Sequence, residues 1–214
     1  MTEAQTSIET QIRSHATNLI SIGKNGLVFT DDVFDRQRYE ETTSIGIDLM
    51  SMVSAGTPTQ LAEIVAVEKG YMTPKLDVRG AVFDDTGHIL LIRDRSDEKW
   101  TLPGGWVDPG QTAGEAVVRE VQEESGLVVR ATKLVAALDR DTQGHQPKFP
   151  YHVTKMFFLC ERIADGKPSP IETMEVDWFS IDALPELSTT RTLPSQIQLM
   201  HDHWQKPELP TVFD

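Results

Sequence analysis

Apolar residues recur at three- and four-residue steps at the start of the chain, where Ile8, Ile12, Ala16, Leu19 and Ile20 form one stripe. That spacing predicts a helix with one side laid against another surface. Gly23 and Gly26 then interrupt the pattern, and a second helix is predicted from Asp35 as N-cap, with Tyr39, Thr42, Ile45, Leu49, Met50 and Val53 along one side. A third is marked more sharply: Thr57 as cap, Pro58 in the first turn, Gln60 completing a capping box, then Leu61, Ile64 and Val65, with Gly70 as a stop.

The period changes after Pro74, which cannot continue a helix: Leu76, Val78, Ala81 and Phe83 alternate as in a strand. We place the domain boundary here, giving a helical domain over 1–71 and a second domain over 72–214 that closes with a helix. Asp84, Asp85, Thr86 and Gly87 read as a hairpin turn into a strand at His88–Arg93. Further strands are expected at Leu127–Leu138, Tyr151–Arg162 and Met174–Ser180, with a turn at Asp165 and Gly166, and a helix spans Thr112–Ser125 before Gly126. Strands on both sides of an embedded helix imply an α/β or α+β arrangement, a mixed sheet covered by helices.

Composition narrows the chemistry. A net charge of −13, with no cluster of Lys or Arg, leaves no footprint for a nucleic-acid backbone, so no stable nucleic-acid binding is expected. The start of the chain is polar, and nowhere do about 18 apolar residues run together, so no membrane association and a cytoplasmic location are expected. The single Cys160 directly follows the apolar run Met156–Leu159 and reads as a buried, inert thiol.

One segment carries most of the functional signal. On a helix each residue advances about 100°, so Glu120, Glu123 and Glu124 fall within roughly a 100° arc. Three carboxylates so close repel one another, and an ordinary solvated face would intersperse Lys or Arg among them. A cation resolves the conflict. Magnesium takes a few carboxylates and keeps water and phosphate oxygens as its other ligands. Just upstream, Pro103, Gly104 and Gly105 permit a tight turn whose carbonyls can approach a metal. Arg119 stands four residues after Glu115, a spacing that predicts an ion pair.

Gly105, then Arg119-Glu120-Val121-Gln122-Glu123-Glu124-Ser125-Gly126-Leu127, resembles the signature of the Nudix hydrolases. Gln111 departs from it, standing where that family has a further Glu that supports the arginine and sometimes binds metal. The resemblance implies an α/β/α sandwich around a mixed sheet from about Lys75 to Glu186. It further implies Glu120, Glu123 and Glu124 as the catalytic, metal-binding carboxylates, Gly105 as a backbone carbonyl ligand, Arg119 as structural, and Mg2+ as cofactor with Mn2+ as a substitute.

Flanking segments, Phe34 to Glu41, Asp77-Val78-Arg79-Gly80, Leu102 to Trp106, and Leu184 to Ser188 with Arg191, are similar to a bacterial Nudix subgroup with a helical amino-terminal segment. That likeness implies a small-molecule substrate, a nucleoside diphosphate linked to another moiety, of the ADP-ribose, CDP-choline or nucleotide-sugar type. For it, Arg79 is the expected diphosphate ligand, since a guanidinium makes two parallel bonds to such oxygens. Trp106 and Phe149, with Trp100 and Tyr151 behind them, are candidate stacking surfaces for a base. The general base is open between His145, Glu172 and Glu175. The helical stripes need an apolar cover, for which a homodimer packed through Tyr39 to Val53 is the expected answer. Two other readings stand beside this one: a house-cleaning hydrolase of nucleoside triphosphates, and a nucleotide-sensing module without turnover, to which Gln111 points.

Overall fold

The structure, a computed structural model, describes residues 8–167 and 173–214. The chain divides into two compact units, one running to Pro74 and taking in Lys148–His152, the other comprising Lys75–Pro147 and Val153–Asp214. The short segment 148–152 is thus grouped with the helices, although it falls inside the expected second domain.

Three helices build the first unit: α1 (Ile8–Phe29), α2 (Val33–Met52) and α3 (Pro58–Val67). The expected break at Gly23 and Gly26 does not occur, because α1 runs through both. Their lack of a side chain serves packing instead: a Cβ on Gly23 would lie 2.5 Å from the Tyr39 carbonyl oxygen, and one on Gly26 would lie 2.4 Å from the Tyr39 ring. α2 begins three residues earlier than expected, since Asp32 and not Asp35 accepts from the amides of Phe34 and Asp35. α3 has the Thr57–Gln60 capping box that its sequence announces, but ends at Val67, ahead of Gly70. Ala16, Ile20, Ile47, Met50, Leu61 and Val65 form the core of this unit. Arg13 is buried against it, donating to the carbonyls of Val53 and Phe149 and so tying segment 148–152 to the helices.

In the second unit, β1 (Lys75–Ala81), β5 (Val153–Asp165), β4 (Leu127–Asp139) and β7 (Val212–Phe213) form one mixed sheet in the order β1-β5-β4-β7. β3 (Trp100–Thr101), β2 (Ile89–Asp94) and β6 (Thr173–Phe179) form a second, antiparallel sheet. β1 pairs parallel with β5, placing Asp77 opposite Lys155 and Arg79 opposite Phe157. β5 starts at Val153, not Tyr151, and runs on to Asp165. The turn before β2 forms as expected, with Gly87 donating to the Asp84 carbonyl and Asp84 to that of His88.

Alternation along β5 sends Phe157 and Phe158 to opposite faces of the sheet. Phe157 joins Ile89, Leu91, Leu102, Leu138, Ile197 and Met200, the last two from helix α5 (Pro194–Gln205). Phe158 joins Val78, Cys160 and the underside of helix α4 (Ala113–Ser125), namely Ala116, Val117 and Val121. Each valine buried in this way contributes roughly 1.5–3 kcal/mol, so α4 is held in place by its apolar side while its acidic side is left for chemistry. Cys160 is buried, and burial pushes its thiol up to about 12, as an inert cysteine requires. Among the described residues no helix is long and apolar enough to cross a membrane.

Candidate active site

Helix α4 is fixed at both ends. Thr112 and Glu115 form a reciprocal capping box at its start, and Gly126, at φ 78°, closes it in the left-handed conformation. Because the Glu115 carboxylate is spent on Thr112, the expected Glu115–Arg119 pair does not form. Arg119 turns the other way, with Nη2 2.9 Å from Glu120 Oε1 and Nη1 2.8 Å from Glu123 Oε2.

The glycine loop faces this helix across β1. Val78 donates to the Gly105 carbonyl and Gly80 to the Pro103 carbonyl, both at 2.9 Å, so the loop is stitched to the strand. The Gly104 amide donates to Glu124 Oε2 at 2.7 Å. Gly105 lies directly beneath Glu120, where an added Cβ would come within 2.7 Å of Oε1. Glu120 and Glu124 are buried, whereas Glu123 is half exposed. Burial raises the Glu120 carboxyl above its ordinary range, only partly offset by the charges of Arg119 and Arg79. Buried carboxylate oxygens suit a hard divalent cation, which would repay the cost of burying them; the Gly105 carbonyl, expected as a further ligand, accepts from the Val78 amide. Among the described residues, however, no three such side chains already converge tightly enough to hold an ion. Arg119 draws two of the three carboxylates toward itself, and Gly104 holds the other.

Arg79 has a use other than the expected one. Buried, it donates through Nε and Nη2 to both Asp77 oxygens at 3.0 and 2.7 Å, and through Nη1 to the Leu102 carbonyl at 3.3 Å. The fork that would grip a diphosphate is turned on Asp77. Lys155 donates to the same carboxylate from β5. Burial works to raise the Asp77 carboxyl, but Arg79 and Lys155 outweigh it and leave it below its usual range. Burial also lowers the Lys155 ammonium to about 8. Sequence reasoning gave no role to Asp77 and did not single out Lys155; a charged residue on the inward phase of each strand is the signal that marks them.

His145 is neither a solvated loop residue nor an available base. It is fully buried, with Nδ1 2.8 Å from the Thr189 carbonyl oxygen and Nε2 2.9 Å from Gln196 Nε2, which leaves no ring nitrogen for a water. Glu175, exposed on β6, meets Arg93 at 3.1 Å, and Glu172 lies outside the described residues. Trp100 packs edge-on against Phe179, the ring centroids 4.6 Å apart, and so belongs to the core. Trp106, next to Gly105, is 42% exposed and keeps a surface on which a base can stack. Phe149 and Tyr151 lie in the helical unit, their ring centroids 5.4 Å apart.

Residues 73–201 match the family model of the NUDIX domain, and residues 10–65 that of the UDP-X-like, N-terminal oligomerisation domain. YjhB of Bacillus subtilis, provisionally named an ADP-ribose pyrophosphatase, is 39% identical over 207 residues, 97% of this chain and 99% of that protein. A crystal structure of a UDP-X diphosphatase superposes with a TM-score of 0.61 at 29% identity, covering 96% of this chain and 99% of its own. That of an ADP-ribose pyrophosphatase from Streptococcus suis gives a TM-score of 0.60 at 37% identity, covering 66% of this chain and 100% of its own. With more than half its length matched by the first of these models and nearly all of it by a relative, the chain belongs to the Nudix hydrolases, and its reaction is the hydrolysis of a phosphoanhydride bond.

Proposed function

We propose that the protein hydrolyses the diphosphate bridge of a nucleoside diphosphate joined to another moiety, of the ADP-ribose, CDP-choline or nucleotide-sugar type. Water adds to one phosphorus as the bridging P–O bond breaks, giving a nucleoside monophosphate and a phosphorylated remainder. The observation that carries this is the placement of buried Glu120 and Glu124 directly over Gly104 and Gly105. Two relatives that align along nearly all of their own length, an ADP-ribose pyrophosphatase and a UDP-X diphosphatase, support the substrate class.

Members of the family generally use a divalent metal, and we assign Mg2+, with Mn2+ as substitute, to Glu120, Glu123 and Glu124, with the Gly105 carbonyl contributing through the lone pair that the Val78 amide leaves. When bound, the ion draws charge from the phosphate oxygens and lowers the pKa of water. The protein's own groups do the rest. Gly104 fixes one Glu124 oxygen, so that this carboxylate is oriented before substrate arrives. Asp77 and Arg79 brace the loop from below through the Leu102 carbonyl, a positioning role in place of a diphosphate contact. Trp106 offers its exposed ring to the base. Of the expected bases, Glu175 is the one whose described surroundings leave it open to solvent. The helical unit makes a homodimer, and the enzyme works in the cytoplasm on small molecules.

The test is a panel of ADP-ribose, CDP-choline, UDP-sugars, dinucleoside polyphosphates and nucleoside triphosphates, incubated with Mg2+ in 18O-labelled water and resolved by chromatography and mass spectrometry. Turnover of the linked diphosphates above the triphosphates is expected, the label showing which phosphorus water meets; exclusive turnover of triphosphates would reject the reading. A monomeric mass by light scattering would reject the homodimer.

A further inference from the structure

Arg119 spans two of the three carboxylates assigned to the metal, with one guanidinium nitrogen on Glu120 and the other on Glu123. Its other neighbours hold it weakly. Gln111 Oε1 lies 3.4 Å from Nη2, beyond the usual reach of an N–H···O bond, and Asp108 is 3.7 Å away. Nε is buried without a hydrogen-bond partner. A neutral amide oxygen attracts a guanidinium far less than a carboxylate does, so nothing at position 111 competes with Glu120 and Glu123 for the arginine's charge.

We propose that Arg119 is a built-in counter-ion that a divalent cation must displace from Glu120 and Glu123, and that the neutral side chain of Gln111 sets how much the displacement costs. The inference rests on the assignment of these carboxylates to the metal. It accounts for two observations at once: the carboxylates share a face yet do not converge, and the arginine keeps an unpartnered buried nitrogen while reaching for them. The protein thereby trades metal affinity for order in the metal-free helix, whose like charges would otherwise repel. A scaffold role for Arg119 makes the opposite forecast, since loss of a scaffold weakens metal binding.

Mn2+ affinity of the whole protein without substrate, read from the electron paramagnetic resonance of the free ion, separates the two. Gln111→Glu supplies a charged acceptor that pulls Arg119 away and should lower the Mn2+ Kd by about two- to fivefold, the range of a modest ion pair. Arg119→Gln should lower it similarly, and the double variant should bind no tighter than Arg119→Gln alone. Mn2+ should also raise the Tm of Arg119→Gln by more than that of the parent, because tighter binding to the folded state stabilises it more. Should Arg119→Gln fail to fold, Arg119→Lys, whose single ammonium cannot span both carboxylates, should tighten binding in its place. Unchanged or weakened binding in these variants overturns the proposal, and so does an equal gain from Gln111→Glu with Arg119 absent, which would make position 111 a ligand in its own right. Glu124→Gln serves as the separate control: if it leaves Mn2+ binding intact, the metal assignment itself fails, whatever Arg119 does.

Discussion

The Gly104 amide donates to Glu124 Oε2 at 2.7 Å, joining the glycine loop to the last turn of α4 across twenty residues of sequence. A glutamine at position 124 keeps an oxygen able to accept this bond but loses the charge. Glu124→Gln is therefore expected to fold normally and to lose at least about 100-fold in turnover at saturating Mg2+, through weakened metal binding. Product formation from the best substrate of the panel measures it, and undiminished turnover would remove Glu124 from the site.

Gly105→Ala tests the other wall. The added methyl would come within 2.7 Å of Glu120 Oε1 and 2.9 Å of its Cδ, and the obstacle is the free end of a flexible side chain. Glu120 can swing aside at little cost to the fold, below about 1 kcal/mol, but not without leaving its place. A displacement of that size is expected to reduce kcat/KM about 100-fold while the urea midpoint barely moves. Equal loss of activity and stability would mean that Gly105 serves the loop's conformation only.

Much of this site was legible in the sequence, because helix α4 obeys local rules. Its extent, its terminal glycine and the shared face of Glu120, Glu123 and Glu124 follow from spacing alone, whereas the spacing that pairs Glu115 with Arg119 misses the capping box that Glu115 forms with Thr112. What escaped were contacts between residues far apart in sequence. Gly23 and Gly26 read as a helix break until Tyr39 and Thr43 of α2 are seen to fill the space their side chains would take. Arg79 read as a phosphate ligand because nothing local shows that Asp77 and Lys155, neighbours only through the β1–β5 pairing, enclose it. Periodicity reports which way a residue faces; it does not report what waits there.

That helix packing makes a prediction of its own. A methyl at position 23 would meet Thr43 Oγ1, which can rotate, but also the Tyr39 carbonyl oxygen at 2.5 Å and the Thr43 amide nitrogen at 2.9 Å, which cannot. α1 and α2 must then separate. Gly23→Ala is expected to destabilise the helical unit by roughly 1–3 kcal/mol despite alanine's higher helix propensity. Thermal unfolding followed by circular dichroism should show a lower Tm; a higher one would mean that the two helices do not approach so closely.

Asp77 balances two buried cations. Its replacement by alanine leaves the Arg79 guanidinium and the Lys155 ammonium without their shared carboxylate, and one uncompensated buried charge costs about 3–5 kcal/mol. Asp77→Ala should therefore lose stability on that scale in urea unfolding, and Asp77→Asn, which retains one acceptor oxygen, somewhat less. A loss below about 1 kcal/mol for both would show that solvent reaches the pair.

His145 supplies a pH dependence whose sign can be worked out. Gln196 Oε1 accepts from the Leu193 amide, so its Nε2 is the donor to His145 Nε2, and the ring's single proton must lie on Nδ1, donated to the Thr189 carbonyl. Protonation would set two donors against each other. Burial lowers the histidine to about 4; the Thr189 bond is the main opposing pull, the nearby charges of Lys155 and Arg140 push with burial, and Asp77 opposes them more weakly. The unfolded chain takes up this proton near pH 6.5, so between about 6.5 and 4 it binds a proton that the folded state refuses. Stability is then fully present above pH 6.5 and falls as the pH drops through that window, by about 3 kcal/mol at pH 4 from this group. Urea unfolding of the parent and of His145→Gln at pH 7, 6, 5 and 4 isolates the contribution. The parent is the more stable at pH 7 and its advantage should shrink toward pH 4; two parallel pH curves would mean that the imidazole is not neutral in the fold.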